Sequence, residues 1–202
     1  MTREKVYDEQ YFERWYRRSD VGVGQREFVA RKVRLAVSAA EYLLGRPIES
    51  VLDVGCGEAP WRAILRRLRP DVHYDGMDSS TYAVRRYGRT RGIRLGTVGE
   101  LGRMGFQGPY DLVVCSDVLH YVADDEVRRG LVAMHRLCGG LAFIEAFTSD
   151  DRIEGDQDRF QQRSPASYHR MLAQAGFVPL AMHLYASRGL AATMVALERG
   201  AR

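Results

Sequence analysis

The sequence is poor in the residues that staple, anchor or metallate a fold. Its three cysteines, Cys56, Cys115 and Cys138, are odd in number and nowhere spaced as CxxC, which excludes a disulfide framework and a zinc pattern. Five histidines are scattered without ligand spacing, so no metal site is expected. No apolar run reaches the ~18 residues of a membrane span. The opening MTREKVYDEQYFERWYRR lacks the apolar core of a secretion signal. A reducing, cytoplasmic setting with no membrane partner is therefore expected. All but Lys5 and Lys32 of the thirty basic residues are arginine, set against twenty-six acidic residues for a net charge of +4. Like charges never form a block of five, so the basic excess does not by itself make a nucleic-acid surface, and no such partner is expected.

What the sequence does hold is a single run of alternating elements, in 202 residues that are 46% hydrophobic and 28% charged, enough for one buried core. Residues 1–25 read as an N-terminal helical segment carrying Tyr7, Tyr11, Phe12, Trp15 and Tyr16 at helical spacing, ended by a flexible break over Ser19–Gly24. Residues 26–202 read as the domain proper. A helix is predicted over Arg26–Leu44 and a buried strand over Ser50–Val54, followed by the tight turn Gly55-Cys56-Gly57. A helix over Pro60–Leu68, a strand over His73–Asp78, a helix after Ser80 and a short strand over Ile93–Val98 follow. Tyr110–Cys115 is apolar enough for a strand buried on both faces. Asp124 is expected to cap the next helix and Gly139-Gly140 to end it, before a strand over Leu141–Phe147. After the polar stretch 148–163, a helix runs from Ser164-Pro165 to Ala175-Gly176, and Phe177–Tyr185 and Leu190–Leu197 read as an antiparallel terminal hairpin. The fold class is α/β: a doubly wound, mostly parallel, seven-stranded sheet with a C-terminal antiparallel hairpin.

In such a sheet, ligands bind at the carboxyl ends of the strands. Asp53, Gly55, Cys56, Gly57, Asp78, Ser79, Thr97, Val98, Cys115, Ser116, His120 and Glu145 all fall there. The two glycines bend the chain and clear room for a ligand against the backbone. Asp78, twenty-one residues after Gly57, stands where a carboxylate accepts the hydroxyls of a ribose. A dinucleotide would bring an anionic pyrophosphate to the turn. Asp53 and Glu58 flank that turn and favour a cation instead, by about 3 kcal/mol per charge pair at ~5 Å and an effective dielectric of ~20. The third glycine of a dinucleotide fingerprint is absent, since Ala59-Pro60 follow Glu58.

Val51-Leu52-Asp53-Val54-Gly55-Cys56-Gly57 closely resembles the first motif of class I S-adenosylmethionine-dependent methyltransferases, a family with a Rossmann-like sheet. The run Tyr110–Val122 is similar to that family's fourth-strand motif, and Arg163–Tyr168 through Ala175-Gly176-Phe177 to its late helix and following turn. The resemblance spans about Ile48 to the C-terminus. It implies S-adenosylmethionine as cofactor and S-adenosylhomocysteine as product. Asp53, Gly55, Cys56, Gly57, Cys115 and Ser116 would border the methionine moiety, with Asp53 near its ammonium. Asp78 and Ser79 would meet the ribose, Thr97 and Val98 the adenine, and His120 the transferable methyl. The sequence departs from the family at Ala59, in place of a usual glycine, and at Thr97, where many members carry Asp for the adenine amino group. Glu100 is the candidate replacement.

The implied reaction is methyl transfer to an O or N atom of a small-molecule acceptor. A hydroxyl or protonated amine would need a base, with His120 first and Tyr121 or Asp117 behind it; a neutral amine or thiol would need only orientation. Tyr11, Trp15 and Tyr16 either pack on the sheet or close the site as a lid that touches the substrate. Arg26 is a candidate partner for the cofactor carboxylate. Glu145 is either a substrate-binding carboxylate or a buried group paired with arginine. Cys56 and Cys115 are most simply small buried residues, and the acidic loop Asp150–Asp158 misses the EF-hand pattern. The alternatives are modification of RNA or protein, an NAD-dependent oxidoreductase, and a cofactor-binding partner without catalysis.

Overall fold

The protein, analysed as a computed structural model, is described over residues 5–17, 26–152 and 156–200. The expected break at Ser19–Gly24, and Ile153–Gly155 of the acidic loop, lie outside these residues. Parallel strands β1 (Ser50–Val54), β2 (His73–Asp78), β3 (Ile93–Leu95), β4 (Tyr110–Ser116) and β5 (Cys138–Glu145) join the short strands β6 (Val178–Pro179) and β7 (Leu184–Ala186) in one sheet. Its order is β3-β2-β1-β4-β5-β7-β6, with β7 antiparallel to both β5 and β6. The switch in strand order falls between β1 and β4, which puts a crevice above their carboxyl ends.

Alternation within each strand sends side chains to two cores. Val51, Leu112, Val114 and Phe143 face helices α2 (Arg26–Leu44) and α3 (Pro60–Leu68), meeting Val33, Ala36, Val37, Trp61 and Leu65. Leu52, Val54, Val113 and Ile144 face α5 (Asp124–Leu137) and α6 (Pro165–Ala175), meeting Val127, Leu131, Met134 and Leu172. Each such leucine removed from water contributes about 1.5–3 kcal/mol. Helix α4 (Thr81–Arg91) starts on a cap in which the Ser80 side chain accepts the Ala83 N–H, and it ends on Gly92 at φ +70°.

Four boundaries differ from the sequence reading, each for a local reason. Strand β3 stops at Leu95, because Thr97 caps a 3-10 turn over Val98–Arg103. Asp124 is not the cap of α5; Ala123 takes that position and Asp124, Asp125 and Glu126 fill the first turn, where the helix dipole favours them. Gly139 and Gly140 belong to β5 rather than ending the helix; a Cβ on Gly140 would lie 2.4 Å from the Asp111 carbonyl oxygen of the neighbouring strand. The terminal hairpin is made by β6 and β7. Leu190–Leu197 is not a strand: its alanine-rich first half folds as α7 (Arg188–Thr193), with the Ser187 side chain accepting the Leu190 N–H, and Ala196–Glu198 forms a 3-10 turn. No helix among the described residues is long and apolar enough to cross a membrane.

Candidate functional site

The turn after β1 is built from glycines that could be nothing else. Gly55 adopts φ +74°, and a Cβ there would stand 2.5 Å from the Val118 side chain at the end of β4. Gly57 adopts φ +53°, and a Cβ there would touch Phe12 at 3.0 Å, so the N-terminal segment rests directly on the turn. The amides of this turn are already committed. Gly55 and Cys56 donate to the Met77 carbonyl at 2.8 and 3.0 Å, and Gly57 donates to Asp78 Oδ2 at 2.7 Å. These three residues therefore offer no cradle of free N–H groups to a pyrophosphate. Asp78 also accepts the Ser80 N–H at 2.7 Å, which fixes its carboxylate at the end of β2. Burial raises its pKa, opposed by the two amides. About half of a carboxylate's hydrogen-bonding capacity survives these two contacts, since each oxygen carries two lone pairs.

Asp78 lines a cavity of about 420 Å³, in the size range of small-molecule sites. Gly55, Gly57, Ser79, Thr97 and Val98 share its wall, as do Asp117 and Tyr121 beyond β4. Val98 is pressed into place by α5, where a Cβ on Gly130 would meet it at 2.3 Å. Residues of the N-terminal segment, Lys5, Tyr7, Tyr11, Phe12 and Tyr16 among them, close the remaining side. That segment holds α1 (Glu9–Phe12) and a π-helical turn over Glu13–Arg17. Three ties fix it over the sheet. The Ser80 hydroxyl donates to the Tyr7 carbonyl at 2.5 Å, and Arg17 pairs with Glu58 at 2.6 Å. Lys5, with only 7% of its side chain exposed, pairs with Asp156 at 2.5 Å, donates to the Asp158 carbonyl at 2.8 Å and stands 3.7 Å over the Tyr121 ring.

Several expected site residues lie elsewhere. Asp53 is buried beneath the turn, off the cavity wall, and accepts the Tyr74 hydroxyl at 2.8 Å. Burial pushes its pKa up to about 7 against that hydrogen bond. Glu58 is engaged by Arg17. The cation preference ascribed to Asp53 and Glu58 therefore passes to the carboxylates on the wall, Asp8, Asp78, Asp117 and Glu126. Cys56 and Cys115 are buried off the wall, with burial raising both thiols. Ser116 donates to Glu145 at 2.6 Å, and Glu145 pairs with Lys32 at 2.5 Å; its partner is a lysine, not the arginine expected. Glu100 accepts the Thr97 N–H at 2.9 Å in a capping box, so its carboxylate is spent on that turn rather than turned to an adenine. Arg26 is exposed at the start of α2 and is absent from the wall, while Trp15 is half-buried and faces Arg14 at 4.9 Å.

His120 is the sharpest departure. It is fully buried and off the wall, packed among Tyr121, Phe147 and Phe160 at centroid distances of 4.2, 5.3 and 5.4 Å. Burial, with Lys5 and Arg163 nearby, pushes its pKa down to about 4, so it is neutral at physiological pH. Two contributors had no sequence signal. Lys5 belonged to a run read only for its aromatics. Arg163 read as the end of a polar stretch, yet it turns inward to donate to the Leu119 carbonyl at 2.9 Å and to pair with Asp124 at 2.6 Å, pinning the loop that carries Asp117 and Tyr121. Among the described residues no group of three or more potential metal ligands occurs.

Comparison with solved structures recovers the same architecture. Magnesium protoporphyrin IX methyltransferase from Synechocystis PCC 6803, crystallised with S-adenosylhomocysteine, is 20% identical with a TM-score of 0.60, and 87% of each chain is covered. A SAM-dependent methyltransferase from Archaeoglobus fulgidus is 18% identical with a TM-score of 0.61, over 86% of this chain and 76% of that one. The plantazolicin methyltransferase BamL, crystallised with a triazolic desmethylPZN analogue and S-adenosylhomocysteine, is 15% identical with a TM-score of 0.59, over 82% and 71%. At these identities the likeness is one of fold. No curated protein sequence matches the chain. The family model described as a methyltransferase domain matches residues 25–191, from the start of α2 to α7, and so takes in every strand and the whole crevice above β1, β2 and β4. The chain belongs to this methyltransferase-domain family.

Proposed function

We propose that the chain transfers a methyl group from S-adenosylmethionine to an oxygen or nitrogen of a small molecule bound in the cavity under the N-terminal segment. The observation that carries this reading is Asp78: a carboxylate fixed by the Gly57 and Ser80 amides on the wall of a cavity whose glycine turn has no amides to give a phosphate. In that setting Asp78 and Ser79 would take the ribose hydroxyls, Thr97 and Val98 the adenine, and the backbone at Gly55 and Gly57 the methionine end. When bound, the cofactor supplies a methyl on a sulfonium, which an in-line nucleophile displaces. The chain's own part is to hold the acceptor in line, to keep the charge near the sulfonium negative through Asp78 and Asp117, and to exclude water. Residues 1–25 serve as the lid, with Tyr11 and Tyr16 on the acceptor's side. The size of the cavity supports a small acceptor, as do the porphyrin and plantazolicin named for the structural neighbours.

Calorimetry with S-adenosylhomocysteine tests the cofactor. Micromolar binding is expected, falling about 100-fold in Asp78→Ala, the ~2–3 kcal/mol of a charge-assisted hydrogen bond. Unchanged affinity in the variant, or binding of a nicotinamide dinucleotide in its place, overturns the assignment. Tight, steeply salt-dependent binding of tRNA would move the acceptor from a small molecule to RNA.

A further inference from the structure

Position on the cavity wall separates Asp117 from His120, two residues that share one turn. Asp117 is on the wall, in the left-handed region at φ +65°, with its N–H donating to the Glu145 carbonyl at 3.1 Å. The residue lines the cavity from the end of β4, and Asp is one of the few non-glycine residue types enriched in that conformation. The 3-10 turn over Leu119–Tyr121 then buries Leu119 and His120 behind it. The imidazole has no lone pair to offer the cavity. Nδ1 accepts the Phe147 N–H at 3.3 Å, so in the neutral ring the proton belongs to Nε2. Nε2 is fully buried, makes no hydrogen bond, and has Asp117 Oδ1 as its facing group at 3.4 Å. A buried N–H left unpaired costs about 1–3 kcal/mol, and a small rotation of Asp117 would satisfy it. Catalytic hydrogen bonds of this kind are often long before the reactants bind.

We infer that Asp117, steadied by the buried Nε2–H of His120, is the catalytic base that takes the acceptor's proton, and that His120 is a positioning residue. The inference rests on the methyl-transfer reading above. As the acceptor's lone pair forms the new bond to the methyl carbon, the carbon–sulfur bond breaks with its electron pair left on sulfur. The acceptor's O–H or N–H proton passes to the Asp117 carboxylate and from there to solvent. The surroundings suit a proton acceptor working near neutrality. Burial and the carboxylates of Glu145 and Asp156 hold the proton on Asp117, Lys32 and Lys5 release it, and the balance lies at about 7. Tyr16 and Tyr121, the other titratable groups facing it, stay protonated, since burial drives both hydroxyls upward.

Carboxyl-carbon and imidazole-nitrogen NMR on the full chain, without cofactor, tests the geometry. A carboxyl titrating near 7 should vanish in Asp117→Asn, move up in His120→Phe, where the donor is lost, and return towards its original midpoint in His120→Gln, which restores an N–H. His120 itself should stay the Nε2–H tautomer between about pH 5 and 8. A titrating His120, or an Asp117 midpoint in the ordinary carboxylate range, overturns the inference. Its role is tested by transfer of labelled methyl from S-adenosylmethionine into a protein-free bacterial metabolite extract. Asp117→Asn should lose about 100-fold in rate while keeping S-adenosylhomocysteine binding, and in His120→Phe the rising limb of the pH–rate profile should move up. Full rate in Asp117→Asn rejects the base. Failure of the unaltered chain to bind S-adenosylhomocysteine instead rejects the methyl-transfer reading, and the titrations tell the two failures apart.

Discussion

Asp53 and Asp117 leave neighbouring parallel strands at the same end of the sheet, and burial pushes both carboxyls up to about 7. Their surroundings make them opposites. Asp53 is 3% exposed, sealed under the glycine turn and held by the Tyr74 hydroxyl, with no path to a ligand. Asp117 has 22% of its side chain exposed, lines the cavity, and stands near the largely buried ion pairs Lys32–Glu145 and Lys5–Asp156. A raised pKa thus records desolvation in both places and marks chemistry only where the group faces a site. Asp53 shapes the floor on which Gly55 and Gly57 stand.

The comparison is broken most severely at Tyr74. Tyr74→Phe leaves the buried Asp53 without its donor, at an expected cost of about 1–3 kcal/mol in unfolding free energy. Urea unfolding measures the loss. The proton should then stay on Asp53 to still higher pH, because the hydrogen bond that favoured its charged form is gone. The Asp117 midpoint should not move. A Tyr74→Phe variant as stable as the parent would mean that Asp53 is solvated in solution, and the contrast with Asp117 would disappear.

That contrast was only half legible in the sequence. The periodicity of the strands, the Gly55-x-Gly57 turn and the position of Asp78 follow from local chemistry, and the structure places them as read. Asp53 was assigned to the ligand because it precedes the turn, yet its fate is set by Tyr74 on the neighbouring strand, two positions out of register with it. Strand order and cross-strand register are not written in one strand's residues. His120 and Asp117 likewise lie three residues apart in one short segment, and the 3-10 turn that faces them in opposite directions is fixed by Arg163, some forty residues later. Leu190–Leu197 misled for another reason: a short apolar segment suits a strand or a buried helix, and the Ser187 cap decided between them.

A second effect, spread over several pH units, follows for stability against pH. Both carboxyls titrate near 7 when folded, against ~3.9 in an unfolded chain. The native state therefore holds these protons longer, and their contribution to stability is complete below about pH 4 and is lost as pH rises through 7. The cofactor-free protein should be more stable at pH 5 than at pH 8, each carboxyl contributing a slope of up to about 1.4 kcal/mol per pH unit. Asp53→Asn, which still accepts the Tyr74 hydroxyl, removes one share of the slope, and Asp117→Asn the other. Thermal unfolding across this range checks the sum. Bound S-adenosylhomocysteine, if Asp117 adjoins it and Asp53 does not, should alter only the second share.

Lys5→Met gives the smallest and most selective change. The Lys5 ammonium helps to hold the Asp117 carboxyl down, and it is absent from the groups that act on Asp53. Removing its charge while keeping the length and apolar bulk of the side chain should raise the Asp117 midpoint by less than about one pH unit, or ~1.4 kcal/mol, and leave Asp53 where it is. The same change unties the N-terminal segment from Asp156 and Asp158, so protease cleavage before Arg26 should quicken in step. The two readouts separate two ways for Lys5 to act. If the midpoint moves and cleavage does not, Lys5 tunes the base through its charge alone. If cleavage quickens and both carboxyls keep their midpoints, Lys5 acts only as a fastening of the lid, and the electrostatic distinction drawn between the two strand ends loses its cationic half.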